Sequence, residues 1–178
     1  MRNNSNKTAA KNLVLKAIFL SLALAVGIIE RSIPFDFVIP GVKLGLGNIV
    51  VLSALYVFSW KDAAAISLLR CVIIGVFSGM GISFLYSLGG ATLSFIAMAV
   101  LVRFAESRVS PIGVSIVGAI FHNIGQILVA SWVLGTFMIV TYLPMLLVSG
   151  VITGLLVGLL VRALLGHTGI KDRINRWR

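Results

Sequence analysis

Residues 150–165, GVITGLLVGLLVRALL, hold a single charged residue and show no alternation of polar and apolar side chains. A transmembrane strand needs such alternation, whereas a membrane-spanning helix needs about 20 mostly apolar residues. The stretch therefore predicts a membrane helix. The whole chain is similar, since 59% of its 178 residues are hydrophobic and 11% are charged. An average soluble domain has about 25% charged residues, so the composition excludes a soluble globular protein and predicts an all-α integral membrane protein.

The apolar runs between charges and turn residues predict six transmembrane helices in a single domain, residues 1–178. Residues 82–90, ISFLYSLGG, are ambiguous, because they could extend the third span, form a re-entrant segment or open the fourth span. The pair Gly89–Gly90 favours a break. The predicted spans are residues 13–29, 44–58, 63 to a break at Ser78, 88–102, 112–129 and 144–165, between basic flanks at 1–12 and 166–178.

The formal net charge of +10 has the distribution of a membrane topology. Cytoplasmic segments of membrane proteins carry an excess of Lys and Arg. If the N-terminus is cytoplasmic, only Arg31, Lys43 and Arg70 lie outside or within the membrane, and all other basic residues lie inside. The pattern predicts a multi-pass protein of the cell membrane with both termini in the cytoplasm. It explains the high charge without a nucleic-acid partner.

The first predicted span carries small residues at a spacing of four: Ala17, Ser21 and Ala25. Four residues make slightly more than one helical turn, so the three lie on one face and form a smooth surface that another helix can approach closely. Two interpretations stay open. The surface packs within this bundle, or it binds a partner protein.

Arg70 is the charge placed deepest in a predicted span. It follows Asp62 by eight residues, which corresponds to about 12 Å of helix. Near the middle of a membrane an unpaired charge costs at least about 2.5 kcal/mol, so Arg70 needs a partner. The candidates are Glu30 at the outer end of the first span, a neighbouring carbonyl group, or an anionic ligand.

The fifth span contains three polar residues, His122, Asn123 and Gln126. His122 and Gln126 are four positions apart and share a helix face. They belong either to an interhelical hydrogen-bond network or to a ligand site. We expect no metal and no cofactor, because no second His, Cys or carboxylate stands at ligand spacing in the sequence.

Residues 41–48, GVKLGLGN, precede and enter the second span. Their glycines allow close backbone approach or an unwound start of the helix. Lys43 offers a cation and Asn48 an amide just inside the bilayer, so a phosphate or carboxylate could be held there. Lys43 could equally extend to lipid head groups.

The acidic residues give little support for catalysis. A prenyl-diphosphate synthase needs aspartate-rich clusters to bind magnesium diphosphate, and no two acidic residues of this chain lie within four positions of each other. No GK[ST] nucleotide-binding motif is present either. We therefore predict that the chain is not an enzyme. Its acidic residues are Glu30, Asp36, Asp62, Glu106 and Asp172.

Three sequence stretches carry a family resemblance: VIPGVKLGLGNIVVL (38–52), LLRC around Arg70, and SGMGISFLYSLGGATLS (78–94). They resemble the small bacterial membrane proteins called heptaprenyl diphosphate synthase component I, or the Gx transporter family, over residues 13–165. That family is similar to the substrate-binding S components of energy-coupling factor (ECF) transporters, which are six-helix proteins of about this size.

The resemblance implies a function and partners. In S components a small-residue stripe on the first helix docks on a transmembrane coupling subunit that carries two ATPases, and Ala17, Ser21 and Ala25 match that stripe. It also implies a substrate pocket open to the outside and a chain that topples in the membrane to release its cargo. We expect the cargo to be a small vitamin-like, isoprenoid or quinone-related molecule.

We predict the pocket from the polar residues described above. The residues expected to line its outer half are Arg70, Lys43, Asn48, His122, Asn123 and Gln126, with Glu30 and residues 31–41 closing the mouth. Two alternative functions remain. The chain could be a membrane subunit associated with prenyl diphosphate or quinone synthesis, or a stand-alone transporter in which Arg70 and His122 form a proton-coupled site.

Overall fold

The computed structural model of this chain describes residues 2–32, 45–105 and 108–167. Within these ranges the chain is helical and has no strand, which confirms the all-α prediction. The elements are α1 (Arg2–Ser32), α2 (Asn48–Val57), α3 (Trp60–Phe77), α4 (Ile82–Ala105), α5 (Pro111–Leu134), a 3₁₀ turn (Phe137–Tyr142) and α6 (Leu143–His167).

Four stretches are long and apolar enough to cross a membrane. The predicted first, fourth, fifth and sixth spans fall within them, although each helix is longer than its predicted span. The basic flank at the start of the chain belongs to α1 rather than preceding it. The four stretches are Ala10–Ser32, Ile82–Ala105, Pro111–Leu134 and Phe137–Gly166.

Helix α2 is shorter than the predicted second span, residues 44–58. Its 10 residues correspond to about 15 Å, half the thickness of a bilayer core. The backbone turns at Gly45, which has a positive φ of 80°, and the helix begins only at Asn48. Nine of its residues are buried, and it contacts all five other helices. It is therefore the centre of the bundle.

The break favoured at Gly89–Gly90 is wrong, because α4 continues through both residues. These glycines allow close packing of α4 on α5. A Cβ atom on Gly125 of α5 would lie only 2.6 Å from the carbonyl oxygen of Gly89, and a Cβ on Gly89 would overlap Val129. A glycine in a helix interior costs about 1 kcal/mol relative to alanine, and here the close helix contact offsets that cost.

Helix α1 lies at the periphery, against α3 and α2. Two ion pairs join it to α3. From the middle of α1, Lys16 Nζ lies 2.7 Å from Oδ1 of Asp62, near the start of α3. Partial burial acts to raise the pKa of Asp62, but the hydrogen bonds from Lys16 and Ser59 and the charge of Lys16 outweigh it, so the pKa lies below its usual value. Near the C-terminal end of α1, Glu30 pairs with Arg70 of α3.

A buried polar site around Arg70

Arg70 extends from α3 into the interior and is only 6% exposed. Its Nη2 donates a hydrogen bond of 3.3 Å to Oε2 of Glu30, which is 4% exposed. Of the partners considered from the sequence, the structure provides Glu30. Breaking a buried pair by removing one partner typically costs about 3–5 kcal/mol, so each residue constrains the other.

The second carboxylate oxygen of Glu30 binds the backbone that precedes α2. Its Oε1 accepts hydrogen bonds from the N–H of Gly45 and from the N–H of Leu46, the latter at 3.0 Å. Glu30 therefore joins three elements: its own helix α1, Arg70 of α3, and the turn that leads into α2. This is the end of the bundle at which the sequence predicts the outer mouth.

Two glycines make room for the Arg70 side chain. A Cβ atom on Gly47 would overlap the guanidinium group, and one on Gly27 of α1 would lie 3.3 Å from Arg70 Nε. The sequence showed both glycines, but the slot that they form depends on the packing of α1, α2 and α3. No local pattern reveals it.

The guanidinium group of Arg70 is incompletely satisfied. It has five N–H donors, yet its buried Nε has no hydrogen-bond partner among the described residues. A buried unsatisfied donor costs about 1–3 kcal/mol. The position therefore favours a further acceptor, and an anionic group is the strongest acceptor for a guanidinium.

A second group of polar residues lies where α2, α4 and α5 meet. The His122 ring lies between two glycines, since a Cβ on Gly45 would be 3.1 Å from its Cδ2 and one on Gly90 would be 2.9 Å from its Cε1. Gln126, fully buried one turn along α5, also faces Gly90. Asn48 donates from Nδ2 to Ser94 Oγ at 3.1 Å. Because Gly45 contacts both Glu30 and His122, the two groups are continuous.

Asn123 lies apart from these residues. It is buried, and its Nδ2 donates to the carbonyl oxygen of Leu146 at 2.5 Å. A Cβ on Gly150 would lie 2.6 Å from the same nitrogen. The amide thus joins α5 to α6, as expected for a residue about 100° around the helix from His122. Lys43 and residues 33–41, which were assigned to the pocket and its mouth, lie outside the described residues.

The small-residue stripe of α1 is exposed along its length. Ala17, Ser21 and Ala25 are all exposed, and the Ser21 hydroxyl donates to the carbonyl of Ala17 at 3.0 Å. The hydroxyl is thereby folded onto its own helix, which leaves a smooth surface. The opposite face of α1 carries Gly27 and Glu30, both buried in the polar site.

The part of the chain that the structure describes contains no group of three or more His, Cys, Asp or Glu residues able to hold a metal ion. The site combines a buried ion pair, two amides and an imidazole where α1 to α5 meet.

The fold and the site thus define an all-helical, membrane-type protein with a buried polar centre. The family model for heptaprenyl diphosphate synthase component I matches residues 19–164. The chain belongs to this family, which confirms the resemblance given by the sequence. No curated protein and no solved structure matches the chain significantly.

Proposed function

We propose that the chain is the substrate-binding subunit of an ECF-type importer in the cell membrane. All six helices cross or enter the bilayer in this proposal, both termini are cytoplasmic, and the chain catalyses no reaction. A transmembrane coupling subunit with two ATPase subunits supplies the energy. The cargo is a small vitamin-like, isoprenoid or quinone-related molecule.

The observation that carries the proposal is the division of α1 into two faces. One face, with Ala17, Ser21 and Ala25, is exposed and smooth. The other places Gly27 and Glu30 in the polar site. A helix of this kind can contact a coupling subunit and the cargo site at the same time, since small residues permit close approach of a second membrane helix.

The polar site supports a binding role for the interior. Arg70 is held at a fixed position by Glu30, Gly27 and Gly47, and its Nε has no hydrogen-bond partner in the part of the chain that the structure describes. Polar groups within membrane helices are costly and usually mark a ligand or ion pathway. A polar or anionic cargo is consistent with this donor set.

The docking face is tested by tryptophan substitution. Ala17→Trp and Ala25→Trp place a bulky ring on the smooth face, and we expect both variants to lose complex formation with the coupling subunit and ATP-dependent uptake. Leu22→Trp is the matched control, because Leu22 is also exposed on α1 but lies about 100° around the helix from Ser21, the middle residue of the stripe. It should behave as the unmodified protein does.

Two results would contradict the proposal. One is normal complex formation and uptake by both alanine variants. The other is uptake in a host that lacks the coupling subunit and its ATPases, which would favour a stand-alone transporter instead.

The family description favours a second candidate, a membrane subunit associated with prenyl diphosphate or quinone synthesis. In that case the purified protein should change the rate or the product chain length of a soluble prenyl diphosphate synthase. The tryptophan variants on α1 separate the two candidates, because only the importer requires the exposed stripe to contact a coupling subunit.

A further inference from the structure

A small cleft lies between α1, α3 and α4 beside the polar site. Helix α3 forms its floor, and α1 and α4 form its walls. None of Asn48, His122 and Gln126 lines it. The residues that give it its chemical character are Arg31 of α1, Arg70 and Cys71 of α3, and Ser83 and Ser87 of α4.

The cleft carries two positive charges at different depths. Arg31 is exposed at the end of α1, whereas Arg70 is buried and its Nε has no partner within the described ranges. Gly27, which lies against that nitrogen, also lines the cleft. No carboxylate belongs to the lining formed by the described residues, although Glu30 pairs with the Nη2 of Arg70 and compensates its charge. The two guanidinium groups are donors suited to an oxyanion with several oxygen atoms.

The rim of the cleft is apolar. Phe77, next to the lining residue Ser78, is 89% exposed, and Ile82, next to Ser83, is also exposed. They flank the turn between α3 and α4, at the same end of the bundle as Arg31. A molecule with its charged head in the cleft would therefore lay an apolar chain against this rim and the surrounding membrane.

The free volume of about 20 Å³ holds only a water molecule or two. Binding of a larger head group requires side chains at the mouth to move. Arg31 is exposed and can change its conformation. The Phe84 ring covers Gly75 of the cleft floor and would also have to move.

We propose that this cleft binds the phosphate head of an amphiphilic phosphomonoester that enters from the membrane. The inference rests on the proposed binding function and names the class of cargo. A phosphomonoester has three terminal oxygen atoms that accept hydrogen bonds, enough for Arg31 and for the Nε of Arg70, which the pair with Glu30 leaves without a partner among the described residues. A phosphodiester lipid offers only two such terminal oxygen atoms to the same donors.

Titration of the full chain in phosphatidylcholine nanodiscs tests the proposal, with farnesyl phosphate as the probe. We expect farnesyl phosphate to bind at least about tenfold more tightly than farnesol, which lacks the charged head, because hydrogen bonds to charged groups are the strong ones. Farnesyl phosphate should also bind about tenfold more tightly than inorganic phosphate, which lacks the apolar chain. The same difference in affinity is expected over phosphatidylglycerol, which is a phosphodiester. Equal binding of any of these three would overturn the proposal.

Two variants locate the site. Arg31→Gln alters an exposed residue that is not part of the Glu30–Arg70 pair, and we expect it to weaken farnesyl phosphate binding by about tenfold. Arg103→Gln removes an equally exposed arginine at the end of α4 and should have no effect. Ser83→Trp fills the cleft from the side of α4 and should abolish binding. Equal effects of the two arginine variants would show general charge attraction and contradict the proposal.

Failure of this inference can be distinguished from failure of the proposed function. If the Trp variants on α1 abolish coupled uptake while Arg31→Gln leaves farnesyl phosphate binding unchanged, the importer function stands and the cleft is not its cargo site. If the α1 variants also leave uptake unchanged, both are wrong.

Discussion

Helices α1 and α2 are neighbours in the chain and differ in almost every respect. Helix α2 has ten residues, nine of them buried, and contacts every other helix. Helix α1 has 31 residues, of which few are buried, and two ion pairs join it to α3. The difference indicates that α2 is the buried centre of the bundle, whereas α1 packs on it with one apolar face around Phe19 and Ala23, reinforced by the two ion pairs, and leaves a long face exposed.

The largest effect on stability is expected where the two regions meet, at Glu30. Glu30→Ala leaves the Arg70 charge without its partner. It also removes the carboxylate oxygen that accepts hydrogen bonds from the N–H groups of Gly45 and Leu46. We expect a loss of about 3–5 kcal/mol, measured as unfolding in detergent by thermal or denaturant titration. The double variant Glu30→Gln/Arg70→Gln should recover part of this loss, because it removes the unpaired charge. A single variant as stable as the unmodified protein would contradict the structural role of the pair.

The next effect contrasts one leucine from each helix. Leu52 of α2 is fully buried, whereas Leu22 of α1 is 52% exposed. Leu52→Ala should cost about 2–5 kcal/mol through the lost contacts and the cavity, and Leu22→Ala about 0.5 kcal/mol or less. The same unfolding measurement compares them. If the two variants lose equal stability, the distinction between a buried centre and a peripheral helix does not hold.

The smallest effect concerns the partly exposed pair of Lys16 and Asp62. Lys16→Gln should cost no more than about 1 kcal/mol at pH 7, because solvent screens the pair. The lowered pKa of Asp62 makes this contribution present above the pKa of the unfolded chain, about 3.9, and lost as the pH falls through the lower pKa of the folded protein. The stability difference between variant and unmodified protein should therefore shrink as the pH falls below about 3.9 and vanish below the pKa of Asp62 in the folded protein. A difference that persists there would assign the effect to packing.

Local apolar runs in the sequence predicted most of the helices. The predictions were wrong for helix bounds and breaks that depend on packing between distant segments. Helices α3, α5 and α6 lie within a few residues of their predicted spans, because charges and turn residues mark their ends. Helix α2 is shorter than predicted, since the turn at Gly45 is stabilised by Glu30, 15 residues earlier in the chain. The Gly89–Gly90 pair was interpreted as a break because its contact with Gly125 is not visible from either segment alone.

The same distinction applies to the site. The depth of Arg70 predicted that it needs a partner, and Glu30 was one of the candidates. The slot formed by Gly27 and Gly47 and the cleft beside Ser83 involve three helices each, so no local spacing indicated them. Asn123 was grouped with His122 because the two are adjacent in sequence, but adjacent residues of a helix point about 100° apart, and Asn123 joins α5 to α6 instead.

Native mass spectrometry of the protein purified from its own host in mild detergent tests the central claim most directly, namely that the chain is a binding subunit. We expect a complex with a membrane coupling subunit and two ATPases, and a small molecule retained by the chain. A ligand-free monomer, or a complex with a soluble prenyl diphosphate synthase and no small ligand, would contradict it.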